Sequence, residues 1–282
     1  ITPSLKLYGE WSGLEVDLVY RNLLRRGEVA LDVGANVGAM SLPLAHLVGR
    51  EGTVHAFEPL RLVFQVLSTN ALLNSLPQLR PYHAAVGSSP GSMPIPPLDY
   101  SKTNNFGSIP IDLNGTWVNK ADLPAGDIER VPVVTIDGLG LEACHFIKID
   151  VEGAEMSVLR GAAATIRRHR PYIYAEVEGG TESSHGLKSH LTDQYRYRCA
   201  DHSPTLFRPN NFRGERKDIW AGLKSFNALC VPNERVASLP EPLAGWFPPA
   251  SDPKGESHPS HPGLGDALEA ANRLLATDRR PE

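Results

Sequence analysis

Residues 30–38 of the chain read Ala-Leu-Asp-Val-Gly-Ala-Asn-Val-Gly. The apolar run from Val29 to Val33 predicts a buried parallel strand. Gly34 and Gly38 allow the turn after this strand to pass close to a ligand before a helix begins near Ala39. A strand, a glycine turn and a helix in this order are typical of an α/β sheet that binds a nucleotide-containing cofactor at the turn.

A carboxylate follows at the end of the next predicted strand. Glu58 lies 58 − 34 = 24 residues beyond Gly34, the distance at which a βαβ unit presents an acid to ribose hydroxyl groups. The turn has the spacing G-x-x-x-G and lacks the third glycine of the dinucleotide pattern, so it favours S-adenosylmethionine over NAD. The alternative is a tightly packed turn followed by a solvated acid. The cofactor site is favoured over this alternative because three polar residues, Asp32, Asn36 and Glu58, all stand at the positions that such a site needs.

Composition limits the classes of function. The chain has 282 residues, 41% hydrophobic, and a net charge of −4, which predicts one sizeable core with appendages. It lacks a run of about 20 apolar residues and is mildly acidic, which argues against a membrane or nucleic-acid partner. Cys144, Cys199 and Cys230 are odd in number and far apart, so neither a disulfide framework nor a zinc site is predicted, and the cytoplasm is the expected compartment.

Helical and strand patterns alternate along the chain, as in a parallel sheet flanked by helices. Ser12 followed by Glu15 indicates a capping box that opens the first helix. The expected helices are 12–24, 39–48, 62–73 and 156–169, and the expected strands are 29–33, 53–57, 79–86, 131–136, 145–149, 172–177, 196–199 and 225–231. A long loop region at 88–130 interrupts the alternation and is predicted to be functional or disordered. The predicted domain covers residues 1–240, and residues 241–282 read as a Pro/Gly-rich linker with a short terminal helix.

A second group of charged residues follows the predicted strand at 145–149. Residues 146–155 read Phe-Ile-Lys-Ile-Asp-Val-Glu-Gly-Ala-Glu, which places Asp150 and Glu152 at the carboxyl edge of the sheet, where ligands bind in open α/β folds. Asp150 is expected either to hold the amino group of the methionine moiety or to accept a proton from a substrate hydroxyl. The alternative makes Asp150 an N-cap and the glutamates first-turn acids, which is the favoured interpretation for Glu155.

Five ordered motifs resemble the FkbM family of S-adenosylmethionine-dependent methyltransferases. They are the DVGANVG turn, the HAFEP strand end, HAAVG, VPVVTID and FIKIDVEGAE, within a matching region from about Tyr8 to Pro232. The resemblance implies a Rossmann-like class I methyltransferase fold, with a mostly parallel seven-stranded sheet whose last strand is antiparallel and an insertion before the fourth core strand. It also implies methyl transfer, usually to oxygen, on small molecules or sugars.

The resemblance also assigns roles to residues. It implies that Gly34, Ala35, Asn36 and Gly38 surround the methionine part of the cofactor, that Glu58 binds the ribose, that Ala84 and Ala85 offer backbone near the adenine, and that Asp150 lies at the amino acid end. Asp32 completes the predicted cofactor site. Tyr8, Glu10 and Trp11 are candidates to close the pocket, with packing under a helix as the alternative.

The acceptor side is less defined. An aliphatic hydroxyl needs a base, and the candidates are Glu152, Glu176, Glu178 and His202, with Asp150, Glu152 and His202 as the predicted catalytic set. Asn104, Asn105 and Glu176 are predicted to bind a small-molecule or sugar acceptor. No resident metal is predicted, although a magnesium-assisted O-methyltransferase using Asp150 with Glu152 or Glu176 stays open. A catalytically inactive cofactor-binding scaffold and a nicotinamide reductase also stay open.

Overall fold

The apolar runs of the sequence pair into one seven-stranded sheet. The computed structural model describes residues 1–95, 98, 128–177 and 182–247. In chain order the strands are β1 (Val29–Val33), β2 (Thr53–Phe57), β3 (Leu79–Tyr82), β4 (Ala85–Val86), β5 (Gly91–Ile95), β6 (Glu129–Val134), β7 (Phe146–Ile149), β8 (Tyr172–Glu176), β9 (Tyr197–His202) and β10 (Asn227–Pro232). The large sheet has the order β3-β2-β1-β7-β8-β10-β9, and only β10 is antiparallel to its neighbours. The predicted fold class is confirmed.

Helices cover both faces of this sheet. They are α1 (Thr2–Tyr8), α2 (Gly13–Glu15), a π-helical turn (Val16–Tyr20), α3 (Arg21–Leu23), α4 (Ser41–Val48), α5 (Arg61–Leu73), α6 (Glu155–Arg160), α7 (Ala163–His169) and α8 (Glu182–Tyr195). One apolar cluster joins the N-terminal helices and α4 to one face, and a second joins α6, α7 and α8 to the other. None of the helices in these described ranges combines the length and the apolar character that a membrane span requires.

Three local predictions are wrong. The strand expected at 79–86 divides, because β3 ends its pairing with β2 at Tyr82 and β4 pairs with β6 in a separate sheet of β4, β6 and β5. The helix expected at 156–169 breaks near Gly161, where a Cβ would lie 2.0 Å from the carbonyl oxygen of Gly87. Ser12 makes no capping bond to backbone, and its hydroxyl donates to Oε1 of Glu15 instead.

The expectation of no disulfide is also wrong. Cys199 and Cys230 are opposite each other on the antiparallel strands β9 and β10 and form a disulfide bond. Their separation of 31 residues gives no sign of this pairing, because it depends on which strands become neighbours. The cysteine pattern therefore no longer supports a reducing compartment.

The proposed division of the chain at residue 240 stays a prediction. Leu243 and Phe247, just beyond that boundary, are buried in the same apolar cluster as the N-terminal helices. Of the expected linker and terminal helix at 241–282, residues 248–282 lie outside the described residues.

Candidate active site

The glycine turn lies directly against the end of β7. Gly34 has φ +83°, and a Cβ there would be 1.7 Å from the carbonyl oxygen of Asp150, so no other residue fits. Gly38 has φ +90°, and a Cβ there would meet side-chain carbons of Leu42 and Leu67. Close packing therefore requires glycine at position 34 and the positive φ favours it at position 38, and the packing at Gly34 brings the predicted cofactor turn next to Asp150.

Glu58 closes the turn from the neighbouring strand. Its two carboxylate oxygens accept hydrogen bonds from the backbone N–H groups of Asn36 (2.9 Å) and Leu60 (2.8 Å). Its side chain is 5% exposed, and this burial raises its pKa to about 7. Each oxygen keeps a further lone pair, so the arrangement fits a group that donates two hydroxyl hydrogen bonds, such as a ribose.

The remaining residues of the predicted cofactor set are held by packing and local bonds. Ala35 is buried, and its backbone N–H donates to the carbonyl oxygen of Phe57. Asn36 adopts φ +51°, and its side-chain oxygen accepts from the N–H of Val37. Ala85 lies in β4 and is buried in the cluster of the small sheet.

A buried cation links the first strand to the seventh. Lys148 Nζ lies 3.2 Å from Asp32 Oδ1 and 3.1 Å from Asp150 Oδ2. Burial alone would lower the pKa of Lys148, but the carboxylates of Asp150 and Asp32 raise it above its usual range, so the ammonium group stays charged. Asp32 is 0% exposed and its other oxygen accepts from Ser41 Oγ at 2.5 Å. This environment makes Asp32 an internal partner of Lys148, and any effect on a cofactor would pass through Lys148 and Asp150.

Register explains how polar residues gather on one face of the sheet. Asp32, Lys148 and Tyr174 are paired across β1, β7 and β8. Side chains two residues apart share a face, so Asp150 and Glu176 follow Lys148 and Tyr174 one step nearer the carboxyl edge. In that outer row Asn227 pairs with both Glu176 and His202.

Three carboxyl groups meet at the carboxyl edge. Asp150, Glu152 and Glu176 each offer an oxygen within 4.8 Å of the others. Burial would raise the pKa of Asp150, but Lys148 and a hydrogen bond with Glu176 lower it, whereas burial and the charge of Asp150 raise the pKa of Glu176. The pair thus holds one ionised and one protonated carboxyl group, which suits proton transfer, and the trio could also contribute oxygens to a divalent cation.

His202 lies at the end of β9, two strands from Glu176 in the order β8-β10-β9. Its Nδ1 is 2.8 Å from the hydroxyl of Tyr174, and its ring packs against Trp246 at 4.7 Å between centroids. Burial lowers its pKa to about 3, which makes its imidazole a weak proton acceptor at neutral pH. Asn104, Asn105 and Glu178, the other predicted acceptor-side residues, lie outside the described residues.

The interpretation of the sequence missed Lys148, Tyr174 and Glu15. The first two could have been found, because Lys148 with Asp150 and Tyr174 with Glu176 repeat every second residue on strands predicted to be central. Glu15 was interpreted as part of a capping box, and its burial was therefore not predicted.

Comparison with known proteins identifies the fold and its family. The sequence model of the methyltransferase FkbM domain matches residues 32–199, from the end of the first strand to the disulfide-bonded strand β9. The chain belongs to this family. The family match confirms the resemblance seen in the five motifs, and S-adenosyl-L-methionine is the cofactor of this FkbM methyltransferase domain.

Two curated relatives and one solved structure are similar to this FkbM domain. Methyltransferase sdnD from Sordaria araneosa is 28% identical over 154 residues, which are 46% of this chain and 59% of that protein. The 31-O-demethyl-FK506 methyltransferase FkbM from Streptomyces tacrolimicus is 33% identical over 160 residues, 49% of this chain and 60% of that protein. The crystal structure of Methyltransferase FkbM from Methylobacillus flagellatus KT has 16% identity and a TM-score of 0.51, and covers 76% of this chain and 47% of that one. This last likeness shows the fold. The chain spans about 60% of the length of the curated relatives it matches.

Proposed function

We propose that this chain methylates a hydroxyl oxygen of a small-molecule or sugar acceptor, with S-adenosyl-L-methionine as methyl donor. The observation that carries the proposal is the group of carboxyl oxygens of Asp150, Glu152 and Glu176, which lie within 4.8 Å of one another beside the glycine turn. The name of the Streptomyces tacrolimicus relative refers to methylation at an oxygen of demethyl-FK506, which supports oxygen as the methyl acceptor.

We assign the cofactor to the turn between β1 and α4. Gly34, Ala35, Asn36 and Gly38 surround its methionine part, and Glu58 binds its ribose hydroxyl groups. The backbone at Ala85 lies near its adenine, and Asp150 lies near its amino acid end. Asp32 acts behind this surface by holding Lys148, which in turn orients Asp150.

Glu176 is the favoured base. The cofactor supplies an electrophilic methyl group on a positively charged sulfur. The acceptor's hydroxyl proton would pass to Glu176, which must first release, on binding of the donor, the proton that it carries in the unliganded pair. The positive charge of the donor favours the ionised form of Glu176, whose pKa is otherwise raised by burial and by Asp150. Glu152 is the second candidate, and His202 is less suitable because burial lowers its pKa to about 3.

Two further candidate functions are open to the same residues. The carboxyl trio Asp150, Glu152 and Glu176 favours a magnesium-assisted variant, in which the cation would orient and acidify the acceptor hydroxyl. An inactive scaffold that binds the cofactor without turnover would keep the turn and Glu58 but would not need the carboxyl pair.

The first test is calorimetric titration of the protein with S-adenosyl-L-methionine and S-adenosyl-L-homocysteine, with NADH as control. Micromolar binding of the first two and none of NADH is expected. A screen with labelled methyl donor then follows, using hydroxylated sugars and polyketides and their deoxy analogues. Transfer to the hydroxylated compounds alone, with an O-methyl product by NMR, supports the proposal, whereas binding without transfer supports the scaffold.

A matched pair of variants tests the base. Glu176→Gln should lower turnover at least about a hundredfold and leave cofactor affinity within about twofold, because general-base catalysis contributes about 10²–10⁴-fold. Glu155→Gln, whose side chain accepts from the backbone of Gly153, is the control and should keep its turnover. If activity is lost in EDTA and recovers with Mg²⁺, the role of Asp150, Glu152 and Glu176 is to bind a metal ion and not to accept a proton.

A further inference from the structure

Asn227 is a buried polar residue that the proposed chemistry leaves without a role. It begins β10 and is 6% exposed. In the sheet it lies opposite Glu176 of β8 on one side and opposite His202 of β9 on the other. Directly opposed residues of antiparallel strands place their side chains on the same face, so Asn227 shares a face with the favoured base and with His202.

A series of hydrogen bonds holds the side-chain amide of Asn227. Its Nδ2 donates to Oγ of Ser225 at 3.1 Å, and this hydroxyl group donates to Oε1 of Glu15 at 2.8 Å. The same Oε1 accepts from the hydroxyl group of Ser12 at 2.6 Å. Ser12, Glu15 and Asn227 are all buried, so the series lies inside the protein and its partners are fixed by packing.

The order of donors and acceptors leaves one orientation for this amide. A serine hydroxyl has one proton, and Ser225 donates it to Glu15, so Ser225 can only accept from Asn227. The amide nitrogen must therefore face Ser225, and Oδ1 is directed away from it. The orientation does not depend on the charge of Glu15, because a carboxylate oxygen and the carbonyl oxygen of a neutral carboxyl group both accept hydrogen bonds.

The amide oxygen is the part of Asn227 that is left for a ligand. Oδ1 forms no hydrogen bond within the residues that the structure describes. A buried polar atom of this kind needs a donor, and a hydroxyl group of a bound molecule can supply one. The neighbouring strand places Glu176 at the Cβ separation of opposed residues, about 4.5–5.5 Å, so two hydroxyl groups of one molecule can reach both side chains.

We propose that Asn227 binds the methyl acceptor, and that its Oδ1 accepts a hydrogen bond from a hydroxyl group other than the one that is methylated. Ser225 and Glu15 are positioning residues that keep this oxygen directed toward the acceptor. The proposal rests on the proposed function, in which Glu176 takes the proton of the methylated hydroxyl group. It identifies the acceptor as a compound with at least two hydroxyl groups.

Hydrogen exchange of the Asn227 side chain tests the orientation without cofactor or acceptor. Protein labelled with ¹⁵N-asparagine gives the side-chain NH₂ signals, and Asn227→Leu assigns the signal that belongs to Asn227. In the wild type one of its two protons should exchange at least about tenfold more slowly than in Ser225→Ala, because Ser225 binds it. Ser225→Thr keeps the hydroxyl group and should keep the slow exchange.

Ser12→Ala is the matched control. Ser12 is also buried and donates to the same oxygen of Glu15, but it forms no hydrogen bond with Asn227. Its removal should leave the exchange of the Asn227 amide as in the wild type. Equal exchange in the wild type and Ser225→Ala, or equal acceleration in the two alanine variants, would overturn the role given to Ser225.

Deoxy analogues test recognition of the acceptor. The probes are the sugar or polyketide that is methylated fastest in the acceptor screen, and the analogues that each lack one of its other hydroxyl groups. In the wild type, removal of one particular hydroxyl group should raise KM about tenfold, the loss expected for one hydrogen bond. Asn227→Leu should raise KM of the complete acceptor about tenfold, keep kcat within about threefold, and no longer distinguish that analogue from the complete acceptor.

The outcomes separate this proposal from the proposed function. If Asn227→Leu raises KM by the same factor for the complete acceptor and for every analogue, Asn227 has a structural role only and the proposal is wrong, although methyl transfer stands. If no compound in the screen is methylated, the proposed function fails and recognition by Asn227 fails with it. The exchange of the Asn227 amide still decides whether Ser225 orients it.

Discussion

Lys148 serves the fold and the site through the same ammonium group. It neutralises the fully buried Asp32 and holds Asp150 at the edge of the sheet. A buried ion pair adds little net stability compared with apolar residues, but the removal of one partner leaves an uncompensated charge. The strength of this requirement can be measured directly.

Lys148→Met should lower the free energy of unfolding by about 3–5 kcal/mol, because Asp32 would remain buried without its cation. Urea denaturation measures this change. Lys188→Met is the control, since Lys188 pairs with Asp201, whose side chain is 58% exposed, and its loss should cost at most about 1 kcal/mol. Equal effects in the two variants would contradict the role given to Lys148.

Glu58 is expected to make cofactor affinity depend on pH. Ribose hydroxyl groups donate to the ionised carboxylate, so a Glu58 with a pKa of about 7 must lose its proton on binding at lower pH. Protonation of Glu58 alone should weaken the affinity for the cofactor about tenfold from pH 8 to pH 6. Calorimetric titration with S-adenosyl-L-homocysteine at several pH values measures it.

Two variants separate this effect from other titrations. Glu58→Gln should bind about tenfold more weakly at pH 8 and lose that share of the pH dependence, because its side chain does not ionise. Glu234→Gln, which alters an exposed pair with Arg170, should behave as the wild type. A pH dependence that is the same in Glu58→Gln and the wild type would exclude Glu58 as the ribose carboxylate.

At the scale of elements, the N-terminal helices and the loop at 203–226 pack against each other as one unit. Arg208 of the loop forms a bidentate pair with Glu10 and a further ion pair with Asp17. The hydroxyl of Tyr8 donates to the carbonyl of Lys217, and Trp220 donates to Ser4. The predicted contribution of Tyr8 and Glu10 to pocket closure is thus compatible with their packing role.

Arg208→Met should loosen this unit, because the carboxylates of Glu10 and Asp17 lose a shared, partly buried cation. Hydrogen exchange at residues 4–20 and 205–222 should accelerate about tenfold or more, while exchange in β1 and β7 stays unchanged. Arg21→Met is the control, since Arg21 is largely exposed and bonds the same Asp17. Uniform acceleration through the sheet would mean that Arg208 stabilises the whole fold.

At the scale of the whole molecule, the sheet divides the candidate site into two halves. The edge of β1 and β2 carries the glycine turn and Glu58, and the edge of β7, β8, β10 and β9 carries Asp150, Glu176, Asn227 and His202. The disulfide between β9 and β10 fixes the outermost strand of the second half.

Cys199→Ala/Cys230→Ala should lower the free energy of unfolding by about 2–4 kcal/mol, because the bond closes a long loop in the unfolded chain. Urea denaturation with and without reductant measures it. Reductant should destabilise the wild type by a similar amount and leave the double variant unaffected. Wild-type stability that is insensitive to reductant would show that the bond makes no such contribution.

The sequence alone determined most of the elements and the glycine turn after the first strand. The bounds of β1 and β2 were predicted correctly, because apolar runs bounded by glycine and charge encode local burial. The closeness of the glycine turn to Glu58 was predictable because a βαβ unit places them within one short stretch of chain, and their role in cofactor binding stays a prediction. Family motifs then identified the methyltransferase domain.

Only the tertiary structure decided which distant residues meet in the other half of the sheet. The closeness of Asp150 to Glu176, the hydrogen bond between Tyr174 and His202 and the disulfide between Cys199 and Cys230 depend on the strand order β7-β8-β10-β9 and on register. Local patterns report whether a side chain is buried, but they do not report which buried groups share an environment. Charge states such as those of Lys148, Glu176 and His202 follow from that shared environment, and for this reason they emerged only with the fold.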